Sequence, residues 1–168
     1  MRNILKNQKT VMVIIPIVVV MICVVVLIAV KLFNGAGSVV TKYAQGMMEF
    51  DSEKIVSLYD DKMVSESYDS IEDMVKDYDE MFKYLKEDYY KINNYIIDSK
   101  YNKLEGKDFN SKLNELVEHY KYKKRDVEEI RLYKVTFECD VDGSIKEVEH
   151  NIFVSKIKGE WFYIGNDS

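Results

Sequence analysis

Few residues of this chain could do chemistry, so they are weighed first. There are two histidines and two cysteines in 168 residues. His150 falls on the apolar side of an alternating segment, where a histidine with a perturbed pKa and a substrate in hydrogen-bond reach could act as a general base. No carboxylate shares its inferred face, because Glu138 and Asp140 alternate away from it, and a half-buried, hydrogen-bonded side chain is the expected role. His119 follows Leu116 and Val117 in a helical pattern and is expected to face solvent. A reactive thiol needs a basic partner and exposure; Cys139 falls on an inferred inward face and is expected to be a small core residue, and Cys23 lies in a hydrophobic run far away in sequence. Four such scattered side chains have no metal-ligand spacing, so neither a metal nor a cofactor is expected.

"DVDGSIKEVE" (Asp140 to Glu149) opens like a calcium loop. That loop needs glycine at its sixth position and glutamate at its twelfth, where this chain has Ile145 and Asn151. Asp142-Gly143 reads instead as a two-residue hairpin turn. There is no nucleophile elbow and no glycine-rich phosphate loop. "KYKKR" contributes a basic cluster, Lys121, Lys123, Lys124 and Arg125, which could meet an anionic surface or an acidic partner. It equally suits a solvated helix C-terminus, where positive charge is favourable.

The elements that would position these residues follow from periodicity. Val11 to Val30 carries no charge. At 1.5 Å per residue, twenty helical residues span about 30 Å, the thickness of a bilayer core. Arg2, Lys6 and Lys9 precede it and only Lys31 follows closely, so the positive-inside rule leaves the N-terminus in the cytoplasm. The run exceeds the 7–15 residues or so of a secretory signal core, and Ile22 before Cys23 argues against a lipoprotein signal. The expected layout is a basic tail (1–10), a retained membrane anchor (11–33), a linker (34–37) and an extracytoplasmic domain (38–168). Small residues in "NGAGS" (Asn34 to Ser38) leave cleavage there as the alternative. Behind the anchor lie 20 basic and 29 acidic residues, a balance that disfavours nucleic acid and anionic lipid.

Within the outer domain, Val40, Tyr43, Ala44 and Met47 form one helical face over 38–49. A short helix is expected from Asp51 or Ser52, with Ile55, Val56, Leu58 and Tyr59 apolar. A longer one is expected after Asp69, with Glu72 as capping-box partner; its stripe is Ile71, Met74, Val75, Tyr78, Phe82, Leu85 and Tyr89. A strand at 91–101 and a helix capped by Asp108 follow. Alternation through Tyr133, Val135, Phe137 and Cys139, then Val148, His150, Ile152 and Val154, predicts a hairpin. Lys158-Gly159 turns into a last strand, "EWFYIG". Runs of helices before hairpin-linked strands give an α+β class, with helices covering one face of a curved antiparallel sheet. Tyr84, Tyr90, Tyr95, Tyr101 and Tyr122 fit no stripe, and exposed aromatics are enriched at binding surfaces.

The opening "VVTKYAQGMMEFDSEKIVSLY" and the ending "IFVSKIKGEWFYIG" together resemble the nuclear transport factor 2-like superfamily, in particular small membrane-anchored or lipoprotein-like members outside the cytoplasm of Gram-positive bacteria. The resemblance covers 38–168 and rests mainly on the order of elements. It implies a cystatin-like cone with an apolar cavity. Here the inward face would be Tyr133, Val135, Phe137, His150, Ile152 and Trp161. Such cones serve isomerases, cyclases, carriers and scaffold subunits, so fold alone fixes no activity. With no acid–base pair in view, the sequence points to a non-catalytic binding module that is held on the membrane and takes a small apolar ligand or a membrane-protein partner. The alternatives are a self-associating subunit of a secretion- or conjugation-type assembly and, last, an isomerase- or cyclase-like enzyme.

Overall fold

The computed structural model describes residues 35–87 and 90–167, with only the backbone of Tyr90. The expected tail and anchor lie outside the described residues. Among the described residues no helix is long and apolar enough to cross a membrane.

Five α-helices and five strands make an α+β unit: α1 (Ala36–Glu49), α2 (Ser52–Val56), α3 (Asp61–Ser67), α4 (Ile71–Glu87), β1 (Tyr90–Ile97), β2 (Asn102–Lys103), α5 (Gly106–Tyr120), β3 (Val127–Val141), β4 (Ser144–Ile157) and β5 (Glu160–Asp167). Gly35 is the residue before α1, so this helix starts within the expected linker. Phe50 ends it at φ 52°. A left-handed phenylalanine costs about 1–2 kcal/mol; its ring packs edge-on to Phe82 at 5.4 Å, which holds it there. Gly46 lets α1 approach α2, for a β-carbon here would sit 2.7 Å from Ile55 Cδ1.

The short helix expected after Asp51 is present as α2, and α3 follows it as a further helix where none was expected. Asp51 caps α2 by accepting from the Lys54 N–H at 2.9 Å. Asp60 then starts α3 by accepting from the Lys62 N–H at 2.7 Å. The long helix is capped by Ser70 rather than Asp69: the Asp73 N–H donates to Ser70 Oγ at 3.2 Å, and Ser70 Oγ donates to Asp73 at 2.7 Å. Asp73 therefore takes the place expected for Glu72. Glu105, not Asp108, precedes α5, and its side chain makes no capping bond.

The sheet is antiparallel in the order β1-β3-β4-β5, with β2 pairing the early part of β3. β3 and β4 join through Asp142 and Gly143, at φ 53° and 77°, as the two-residue turn requires. Lys158 and Gly159 turn similarly into β5, at 51° and 91°. The free side of β5 is met by the α2–α3 connection, where the Tyr163 N–H donates to the Leu58 carbonyl at 2.9 Å.

One face carries Tyr133, Val135, Phe137, Cys139, Ile152, Val154 and Tyr163, buried against Val40, Tyr43, Ala44 and Met47 of α1. Helices do not keep to that face. Ile130, Phe153 and Ile157 have the opposite parity and pack with Leu113 and Leu116 of α5. The run Ile152-Phe153-Val154 is buried throughout because each side of this part of the sheet has its own helical cover.

Candidate functional site

The strand residues expected to line a cavity do share one face, but α1 fills it. Val135 and Ile152 are fully buried and Phe137 is 1% exposed. Tyr133 is buried in the same cluster, and half-buried Trp161 packs beside it. Trp161 also stacks on Arg131, whose guanidinium carbon lies 4.5 Å from its ring centre and 4.3 Å from that of Tyr101. Arg131 Nε donates to Glu129 at 2.7 Å, so this charge is already held within the chain.

His150 is half-buried, with its ring edge-on to Phe137 at 5.0 Å. Its Nδ1 shares a 3.0 Å hydrogen bond with the Tyr43 hydroxyl, which donates when Nε2 carries the proton. Burial lowers the histidine pKa and raises that of Tyr43, so both are neutral near pH 7. No carboxylate completes an acid–base pair in these contacts. The folded histidine binds a proton less readily than the unfolded one, near 6.5. Its contribution to stability is complete above that value and is lost as the pH falls through the lower folded pKa. Urea midpoints from pH 7.5 to 5 should fall with acidification, and His150→Gln should flatten this slope. A slope unchanged in the variant would assign the effect to other groups.

The basic cluster does not form one stripe. Lys121 takes the left-handed position ending α5, at φ 57°. Tyr122 is buried between it and exposed Lys123, Lys124 and Arg125. Of the tyrosines outside the stripes, Tyr84 and Tyr101 are exposed, Tyr95 is half-buried against Phe137, and Tyr122 is in the core. His119 is exposed beside Tyr120 and Cys139 is fully buried. Among the described residues no three histidine, cysteine or carboxylate side chains gather as a metal site.

A hollow that the sequence did not disclose lies among α3, α4 and the end of α5. Its volume is about 310 Å³, and it is lined by Tyr59, Met63, Ser67, Tyr68, Met74, Asp77, Tyr78, Met81 and Tyr120. That is the lower end of the range for small-molecule sites, about 300–1,000 Å³. The Tyr59 and Tyr78 hydroxyls are 2.8 Å apart and hydrogen-bonded. Burial raises the pKa of Tyr59, Tyr68 and Tyr78, and the Asp77 charge adds to the effect at Tyr68. These phenols are therefore neutral at physiological pH. They present π faces and hydroxyls, and the thioethers of Met63, Met74 and Met81 supply an adaptable apolar lining.

Tyr59 also connects the hollow to the core, meeting Tyr163 edge-on at 5.0 Å. Tyr163 in turn stacks on Tyr43 at 4.9 Å. A second hollow of about 460 Å³, beside α2, α3 and α4, is lined by Val56, Val64, Ile71 and Val75 together with the carboxylates Glu53, Asp61 and Glu72. The sequence places Tyr59 and Tyr78 among the apolar positions of helices, where a core is the default. The signal available was slight: Met81 falls beside the Met74–Tyr78 stripe of α4 and extends its apolar edge.

No protein-family model, curated protein or solved structure matches the chain.

Proposed function

We propose that the protein is a membrane-anchored, extracytoplasmic binding module without catalytic activity, and that it holds a small ligand with apolar surface. The observation that carries this reading is the tyrosine- and methionine-lined hollow among α3, α4 and α5. It combines apolar walls with a few convergent polar groups, the usual composition of a small-molecule site. The uncharged run Val11–Val30 and its basic flank support the anchor and its orientation. Kinship with the nuclear transport factor 2-like superfamily is part of the proposal. It draws support from helices preceding an antiparallel sheet, with α1 laid on one face. The ligand site moves from the sheet face, which α1 fills, to the helical layer.

The test is native mass spectrometry of the full-length chain, released from maltoside micelles after incubation with a small-molecule extract of the source cells. The wild type should carry an adduct. Met81→Trp, which puts a larger ring at the half-open wall of the hollow, should lose it while keeping the wild-type fold by circular dichroism. Absence of any adduct, or the same adduct in both proteins, would overturn the assignment of this hollow.

A further inference from the structure

Resting on that reading, we infer that the ligand of the α3–α4–α5 hollow is a small organic cation, specifically an alkylated ammonium. Four of the nine lining residues are tyrosines, one is Asp77, and none is lysine or arginine. Neutral aromatic faces attract a cation through their quadrupole, and an ammonium wrapped in methyl groups offers both the charge and the apolar surface that such walls favour. Tyr59, Tyr68 and Tyr78 are neutral phenols, their pKa values raised by burial. Asp77, on the exposed side of the hollow and against the Tyr68 phenol, supplies the counter-charge.

On the α3–α4 side the surroundings have the same sign as Asp77. From Asp60 to Glu80 there are nine carboxylates and two lysines. Both lysines are already engaged. Lys62 donates to the Lys121 carbonyl at 2.7 Å and lies over the Tyr122 ring, and Lys76 pairs with Asp73 at 3.0 Å. An acidic rim on the α3–α4 side, where Asp77 lies, raises the local concentration of cations there, whereas Lys121, Lys123, Lys124 and Arg125 follow Tyr120 at the α5 end. The second hollow shares this acidic neighbourhood, but Tyr59 is the only aromatic ring in its lining.

A trimethylammonium group occurs on free solutes and on phosphocholine lipid headgroups. The acidic rim favours the free solute, since a phosphodiester beside the ammonium would meet like charge.

The experiment is calorimetric titration of the full-length chain in maltoside micelles with choline chloride. Its uncharged isostere 3,3-dimethylbutan-1-ol and phosphocholine are titrated in parallel. Choline should bind at least about tenfold more tightly than either. Asp77→Asn, at an exposed position, should weaken choline by about fivefold or more and leave the isostere unchanged. Tyr120→Leu, which keeps an apolar wall but removes a ring, should do likewise. Equal binding of choline and the isostere would overturn the cation inference while leaving a small-molecule hollow in place. Binding of neither would overturn both. Equal binding of choline and phosphocholine would overturn the free-solute source in favour of a headgroup.

Discussion

Replacing Phe82 with alanine is expected to cost the α+β domain about 3–5 kcal/mol, and to do so unevenly. α4 is seventeen residues long, yet Met74 and Phe82 are its buried residues. Phe82 is 2% exposed. It meets Phe50 edge-on at 5.4 Å and Tyr78 at 6.1 Å. Loss of the ring removes both its own burial and the contact that holds Phe50 in a left-handed conformation. Sheet pairing does not pass through this residue. Denaturant midpoints should therefore drop, and native-state hydrogen exchange should show amides of α4 losing protection ahead of those in the β3–β4 ladder. A loss under about 1 kcal/mol, below the range for such truncations, or uniform loss of protection, would show that α4 is held elsewhere. Since α4 forms one wall of the hollow, the variant should also bind choline more weakly at temperatures where it remains folded.

Tyr163→Ala should be comparably costly, about 3–5 kcal/mol by the same ring-deletion logic, but global. Tyr163 is 2% exposed and lies between α1 and the sheet. Its ring stacks on Tyr43 and takes the edge of Tyr59, and its hydroxyl donates to Asn166 Oδ1 at 2.9 Å. Burial is the main cause of its raised pKa, so the phenol is neutral at ordinary pH. Tyr163→Phe separates ring from hydroxyl: it should cost only about 1 kcal/mol, the usual net value of one hydrogen bond. Thermal or urea unfolding of the pair would read the difference. If phenylalanine proved as damaging as alanine, the hydroxyl rather than the aromatic stack would be the essential contact.

The strands were the most legible part of the chain. Tyr133, Val135, Phe137 and Cys139 alternate strictly, and Asp142-Gly143 admits few other conformations, so face and register followed from a period of two. The covering of the second face was also written there, in the consecutive apolar residues Ile152, Phe153 and Val154, although their partner α5 is not adjacent in sequence. Helix ends were harder. Asp69 and Ser70 are both good caps, and only the Asp73 N–H settles which is used. α3 was hard to see because Met63 and Val64 are the buried residues among its seven, too few to show a helical period. The hollow was the least legible feature. Tyr59, Tyr78 and Tyr120 have the same spacing whether they fill a core or leave a gap, and no local pattern records how far apart three helices settle.

The aromatic stack between α1 and β5 also constrains when the domain can mature during synthesis. Tyr43 and Tyr163 are 120 positions apart in the chain. At common elongation rates their emergence is separated by on the order of ten seconds. Until β5 is made, the cover over Val40, Tyr43, Ala44 and Met47 stays incomplete. Within the α+β domain, a chain made in this order exposes the apolar face of α1 first and completes its cover last, so a chaperone acting on the emerging domain would have its greatest effect at α1.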